Sequence, residues 1–180
     1  MIMLRRAVVV AAAAMMAVTA GTALPAQAQT KVFHDQVGDV RDGINVKSLR
    51  VHNGARLIMK SRHTDLSRDK SQSIAYYIDV NGSRPGPEYL ASAGFPDSDW
   101  QILRMKGWKV VGSGPINCNS DFLARYVRNV TQFALSRDSL GGDRGRVRVS
   151  MVAGRTRAGG TVLRDYLPAR HRFTGWVLFK

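Results

Sequence analysis

Three aspartates near the start of the chain could coordinate a metal ion. Asp35, Asp39 and Asp42 lie within eight positions of one another in the stretch HDQVGDVRDGIN. Calcium takes about six to eight oxygen ligands, many of them carboxylates, but this spacing does not match the EF-hand loop, which has ligands at alternate positions. A calcium site can also combine a loop with distant strands. The candidate metal ligands are then Asp39, Asp42 and Asn45.

The same stretch also has the composition of a polar turn. Gly38 permits a tight bend, and an aspartate such as Asp39 accepts hydrogen bonds from backbone N–H groups two residues on, as in Asx-turns. This chemistry accounts for the stretch without a metal. The sequence therefore favours the turn and predicts no cofactor, with calcium as the alternative.

Aromatic residues in the middle of the chain could bind a sugar. Sugar rings have apolar C–H faces that stack on tyrosine and tryptophan, with nearby polar groups fixing the orientation. The candidates are Tyr77, Trp100 and Trp108, and the two tryptophans flank one predicted hairpin. Tyr76 and Tyr77 are adjacent, so in a strand one points to the core and the other to the surface. The alternative is that the tryptophans fill the core.

Catalytic signatures are absent from the sequence. The histidines show no zinc-binding HExxH spacing, and no G-x-S-x-G nucleophile motif is present. Cys118 is the only cysteine, so an intramolecular disulfide is excluded and the thiol is expected to be a small buried apolar side chain. We assign no catalytic residue. The alternative is a secreted enzyme of unassigned reaction that uses Cys118 or a histidine.

The amino terminus has the three parts of a secretory signal peptide. The start MIMLRR is cationic, the run AVVVAAAAMMAVTA is apolar, and the small-x-small pattern AQA ends at Ala28. Cleavage is predicted between Ala28 and Gln29, which divides the chain into a signal peptide (1–28) and one domain (29–180). No later segment is long and apolar enough to span a bilayer. The mature protein is expected outside the cell or at its surface.

The chain is strongly basic, and its charge is dispersed. The sequence has 27 lysines and arginines, 20 of them arginine, against 13 acidic residues, a formal net charge of +14. Cleavage would remove Arg5 and Arg6 and leave +12. Specific nucleic-acid recognition is not expected, because neither a binding motif nor a charge cluster is present. The positive field favours association with an anionic cell-wall polymer or other glycan. We expect a monomer.

Short alternating segments separated by turn residues predict strands throughout. Residues 44–51 alternate, with Ile44, Val46 and Arg50 on one face, and Asn53-Gly54 predicts a type I′ hairpin turn before the returning strand. Further turns are predicted at Asn81-Gly82, at 85–87 and at Lys106-Gly107. Only 136–142 suggests a helical turn. The predicted fold is an all-β, antiparallel β-sandwich, jelly-roll-like, with at most one or two short helical turns, preceded by the signal-peptide helix.

The strand and turn pattern resembles a known group of secreted bacterial domains. The segments D-x-x-G-D-V, I-x-V-x-x-L-x-V-x-N, Y-x-I-D-V-N-G and D-Y-L-P are similar to those of DOMON-type domains, a grouping that includes the family 9 carbohydrate-binding modules. The resemblance implies a jelly-roll-like sandwich that binds a sugar, haem or no known ligand. Haem-binding members use an axial methionine and histidine, and none of Met59, Met105 and Met151 aligns with such a ligand. Haem binding is therefore not carried over, and the resemblance implies a sugar or no known ligand.

Overall fold

Alternating side chains build two antiparallel sheets that pack face to face. A computed structural model describes residues 28–36, 38–96, 99–141 and 145–179. The strands are β1 (Gln29–His34), β2 (Val46–Asn53), β3 (Arg56–His63), β4 (Gln72–Asp79), β5 (Tyr89–Phe95), β6 (Trp100–Lys106), β7 (Lys109–Val111), β8 (Ser120–Arg125), β9 (Val130–Ser136), β10 (Arg146–Thr156), β11 (Val162–Leu167) and β12 (Val177–Leu178).

Helical structure is limited to two 3₁₀ turns in the described part of the chain, Tyr126–Arg128 and Arg137–Ser139. The predicted all-β antiparallel sandwich is confirmed. The predicted signal-peptide helix falls on residues 1–27, which lie outside the described residues. Within the described ranges, no helix has the length and apolarity that crossing a membrane requires.

The sandwich has one five-stranded sheet and one larger sheet. The first has the strand order β1-β2-β3-β9-β8, and the second β11-β10-β4-β5-β6-β7 with β12 beside β10. Val147, Val149 and Met151 of β10 are fully buried in the core, whereas Arg148 lies on the outer face. This is the alternation expected of a sheet with one apolar and one charged face.

A β-bulge interrupts the alternation predicted for residues 44–51. The register of β2 with β3 shifts just after Val46, and as a result Val46, Leu49 and Val51 are all fully buried while Arg50 is exposed. The prediction that placed Val46 and Arg50 on one face is therefore wrong. An extra residue in one strand reverses the alternation beyond it.

The β2–β3 hairpin forms where it was predicted, but its turn is not type I′. Neither Asn53 nor Gly54 has the positive φ that a type I′ turn requires. Asn53 is instead the last residue of β2, and its buried side chain donates a 2.8 Å hydrogen bond from Nδ2 to the carbonyl oxygen of Val177. Asparagine at this position links β2 to β12.

A proline-glycine corner supports the turn that carries Trp108. Gly86 has φ +86°, and a Cβ atom there would lie 2.6 Å from the Cα atom of Gly107. Gly107 itself has φ +59° in the turn between β6 and β7. The corner after β4 thus packs directly against the backbone that places Trp108.

Replacing Gly86 should weaken the fold at this contact. Gly86→Ala combines a strained positive φ with a backbone clash, and we expect a loss of about 2 kcal/mol in the free energy of unfolding. Urea unfolding measures this loss. Gly94→Ala is the matched control, because a Cβ atom at Gly94 meets nothing within 4 Å. Equal stability of the two variants would contradict the close approach of the corner to the turn.

Candidate functional site

A pocket of about 300 Å³ lies on the outer face of the larger sheet. Strands β4, β10 and β11 form its floor, and Trp108 and the segment after β11 form its walls. The outward orientation of the floor follows from alternation, since the neighbours of Tyr77 along β4 are fully buried. The lining residues are Tyr77, Trp108, Ser150, Val152, Arg164, Tyr166, Arg170 and His171.

Two of the three predicted sugar-binding residues meet in this pocket. The ring centroids of Tyr77 and Trp108 are 5.2 Å apart, and Trp108 also lies 4.6 Å from the ring of His171 and 5.1 Å from that of Phe173. Both candidate rings are half-buried. Burial raises the pKa of Tyr77, Tyr166 adds to the increase, and Arg164 opposes it. The tyrosine is therefore a neutral hydroxyl at neutral pH.

The pocket lining is cationic. Arg164 and Arg170 contribute guanidinium groups, and no carboxylate is among the lining residues. Arginine presents a rigid fork of donors that matches carboxylate and phosphate groups. The lining therefore combines aromatic surfaces with donors suited to an anion.

Arg148 holds the segment after β11 against the sheet. Its guanidinium lies 4.7 Å from the ring centroid of Phe173 and 4.5 Å from that of Trp176. Its Nε and Nη2 atoms lie 2.7 and 2.6 Å from Oδ2 of Asp79, whose side chain is fully buried. The cation–π contacts and the ion pair thereby position the wall of the pocket.

Trp100 lies away from the pocket. It precedes the buried Ile102 by two residues in β6 and therefore faces the core side of the sheet, where its ring meets that of Phe133 edge-on at 6.2 Å. The side chain is 40% exposed, at the margin of the core. Trp108 follows the strand in a turn, which allows it to reach the opposite face. The two tryptophans therefore do not form one platform.

The aspartate stretch contributes to a cluster with a residue that sequence analysis did not single out. Carboxylate oxygens of Asp35, Asp39 and Asp165 all lie within 4.8 Å of one another. Asp165 comes from β11 and is 1% exposed. Asp42 lies elsewhere and pairs through Oδ2 with Nη2 of Arg157 at 3.0 Å.

Asn45 stabilises the predicted turn. Its Oδ1 accepts hydrogen bonds from the backbone N–H groups of Gly38 and Val40 at 3.1 and 3.2 Å, and its Nδ2 donates to the Val40 carbonyl at 3.0 Å. Asn45 thus provides the capping that the sequence suggested for Asp39. The Asp39 carboxylate lies in the acidic cluster instead.

Burial, together with the nearby charges of Asp39 and Asp35, raises the pKa of Asp165 to about 6, and a hydrogen bond from the backbone of Val46 opposes this increase. That bond, from Val46 N to Asp165 Oδ2, is 2.5 Å long. Burial likewise raises the pKa of Asp35, whose carboxyl lies close enough to that of Asp165 for a hydrogen bond. Both carboxyls are thus destabilised as anions in the absence of a cation.

His63 and Cys118 differ in how deeply they are buried. His63 Nε2 lies 2.8 Å from Ser61 Oγ, and Ser61 Oγ lies 2.6 Å from the Tyr76 hydroxyl, but all three residues are at most 2% exposed. Burial lowers the pKa of His63 to about 3. Cys118, which the sequence predicted to be buried, is only half-buried against the core. The His63 side chain, in contrast, is enclosed and cannot reach a substrate.

A weak sequence signal could have identified part of the missed set. In β11 the sequence RDY places Arg164 and Tyr166 on the outer face and Asp165 on the inner face, and a carboxylate at an inward strand position is unusual.

No family model, curated protein or solved structure matches this chain. The geometry of the pocket and of the acidic cluster is therefore what bears on function.

Proposed function

We propose that the protein is a secreted, non-catalytic binding module for a polysaccharide or cell-wall glycan, held in the pocket between Tyr77 and Trp108. The observation that carries the proposal is the pairing of these half-buried rings, 5.2 Å apart, within one concave site. Rings fixed by packing offer a stacking surface at little entropic cost on binding. The pocket volume is at the lower end for ligand sites, which suits one sugar residue or a chain end.

The charge of the pocket favours an acidic glycan. Arg164 and Arg170 supply donors, no lining carboxylate opposes an anion, and the chain after the predicted cleavage carries a formal charge of +12. A net positive field speeds the approach of an anionic polymer, and the local arginines select its acidic groups. A carboxylated or phosphorylated wall glycan fits this combination better than a neutral one.

Removal of the pocket tryptophan should abolish much of the binding. In gels containing polygalacturonate, we expect Trp108→Ala to raise the dissociation constant by about tenfold. One ring stacking contact contributes up to about 1.5 kcal/mol, which corresponds to this change. Affinity electrophoresis over a range of polymer concentrations gives the dissociation constant. Hydroxyethyl cellulose, a neutral polymer, should retard the wild-type protein less.

Trp100→Phe is the matched control for this measurement. The substituted ring keeps an edge contact with Phe133, and the position is remote from the pocket. We expect wild-type retardation and an unchanged melting temperature. Equal losses in the Trp100 and Trp108 variants, or no retardation of the wild type by either polymer, would count against the pocket as a glycan site.

A further inference from the structure

We propose that Asp35, Asp39 and Asp165 form a binding site for a divalent cation of the calcium class. Asp35 and Asp39 belong to the connection between β1 and β2, and Asp165 comes from β11 at the other end of the chain. Folding thus brings three carboxylates together from two separate segments. Such a site joins a loop to a strand, in a different place from the glycan pocket.

The negative charge of the cluster is not balanced by the protein. None of the three carboxylates forms an ion pair with a lysine, arginine or histidine within the described ranges. This is notable in a chain that has 27 lysines and arginines. Buried charges are normally paired or coordinate a metal, and Asp165 is 1% exposed.

Two enclosed oxygen atoms in the cluster have no hydrogen-bond partner. They are Oδ1 of Asp165, a residue that is 1% exposed, and Oδ2 of Asp35. The other Asp165 oxygen is already bound to Val46 N, which fixes the carboxylate in place. Buried polar atoms without partners are rare in native proteins, and an unfilled ion site is one of the standard reasons for them.

A shared proton is the competing explanation for part of the cluster. One proton shared by Asp35 and Asp165 would neutralise one of these two carboxyls, which lie within hydrogen-bond reach of each other. It would leave the third carboxylate, that of Asp39, beside them without a counter-charge. A divalent cation accounts for all three residues.

The origin of the ligands favours calcium over magnesium. Magnesium binds oxygens at about 2.0–2.1 Å and requires nearly ideal octahedral geometry, whereas calcium binds at about 2.3–2.6 Å and accepts irregular geometry. The three carboxylates come from a loop and a strand, an arrangement that suits calcium.

The site lies on the opposite side of β11 from the pocket. Arg164 and Tyr166 line the pocket, and Asp165 between them points inward. A bound cation would clamp the β1–β2 connection to β11 while Asp165 also holds the first residue of β2. Binding is therefore expected to stabilise the fold without requiring a glycan.

The test is a thermal melt of the purified protein after removal of metal with EDTA and exchange into metal-free buffer. We expect CaCl₂ to raise the melting temperature by several degrees, excess EDTA to reverse the rise, and MgCl₂ at the same concentration to have a smaller effect. An unchanged melting temperature with CaCl₂ would overturn the proposal. A larger effect of MgCl₂ would overturn the assignment to the calcium class.

Variants identify the ligands. Asp165→Asn and Asp39→Asn should each lose the calcium-dependent shift, and Asp42→Asn is the matched control from the same stretch that should retain it. Asp39 is exposed, so its variant remains informative if the Asp165 variant does not fold. A full shift in Asp39→Asn, or its loss in Asp42→Asn, would show that these three aspartates are not the site.

Discussion

Acidification from pH 6.5 towards pH 3 is expected to destabilise the protein through His63 by about 1.4 kcal/mol per pH unit, or about 5 kcal/mol in total. His63 is 2% exposed, and burial lowers its pKa from 6.5 to about 3. The unfolded chain therefore binds a proton at His63 below pH 6.5, while the folded chain does not until about pH 3. The stability associated with the neutral ring is fully present above pH 6.5 and is lost as the pH falls.

The surroundings of His63 explain why the ring stays neutral. Its Nε2 lies 2.8 Å from Ser61 Oγ and 3.2 Å from Thr131 Oγ1, whereas its Nδ1 is enclosed and has no partner. A protonated Nδ1 would leave an N–H donor unsatisfied in the core. The Nε2–H tautomer avoids this, and among the described residues no carboxylate bonds to the ring to stabilise a charged form.

Urea unfolding between pH 7.5 and pH 4.5 measures the effect. His63→Gln should be less stable than the wild type at pH 7.5 but should lose the His63 part of the pH dependence. His34→Gln, at an exposed position, is the matched control and should keep the wild-type slope. Asp165 acts in the opposite direction between about pH 6 and pH 4, because its raised folded-state pKa makes acidification stabilising. The difference between wild type and variant isolates His63, and identical slopes would contradict the prediction.

Loss of Arg148 should lower the free energy of unfolding by an amount comparable to the effect of acidification through His63. Arg148→Met leaves the fully buried Asp79 without its cation, and removal of one partner of a buried ion pair costs about 3–5 kcal/mol. The guanidinium is partly open to solvent, with 28% of the side chain exposed, which places the expected loss near the lower figure, about 3 kcal/mol. Chemical unfolding at pH 7.5 measures this loss.

Two further variants show whether the loss comes from the unpaired carboxylate. Asp79→Asn combined with Arg148→Met removes both charges and should recover part of the stability. Arg50→Met, on the exposed face of the other sheet, should change the free energy of unfolding by less than about 0.5 kcal/mol. If the double variant is no more stable than Arg148→Met, the ion pair is not the source of the loss.

The Arg148 variant also links stability to the proposed function. The guanidinium contacts Phe173 and Trp176, and Phe173 packs on Trp108 at 5.1 Å. Loss of these contacts should loosen the wall of the pocket. Retardation by polygalacturonate is therefore expected to fall in Arg148→Met even where the protein remains folded.

The strands and hairpins could be predicted from the sequence because they depend on local order. Alternation along β10 placed Val147 and Val149 in the core and Arg148 outside, and adjacency alone placed Tyr76 and Tyr77 on opposite faces. Turn residues located the hairpin after Asn53, although not its type. Side-chain direction in a strand has a period of two residues, so a short window of sequence contains the information.

The two candidate sites could be predicted only in part, because their members meet through the topology of the sheets. Tyr77 and Trp108 are two of the three residues that the sequence predicted to bind a sugar, but the arginines and His171 of the pocket come from β11 and the segment after it. Asp39 is one of the candidate metal ligands that the sequence suggested, with Asp42 and Asn45, but Asp165 is adjacent to it only because the two sheets close over one core. Composition and period-two order determined that this chain is an antiparallel sandwich. Only the tertiary structure decided which distant side chains meet. Strand pairing, the bulge in β2 and the turn that contains Trp108 set the positions of these side chains, and a short stretch of sequence does not predict them.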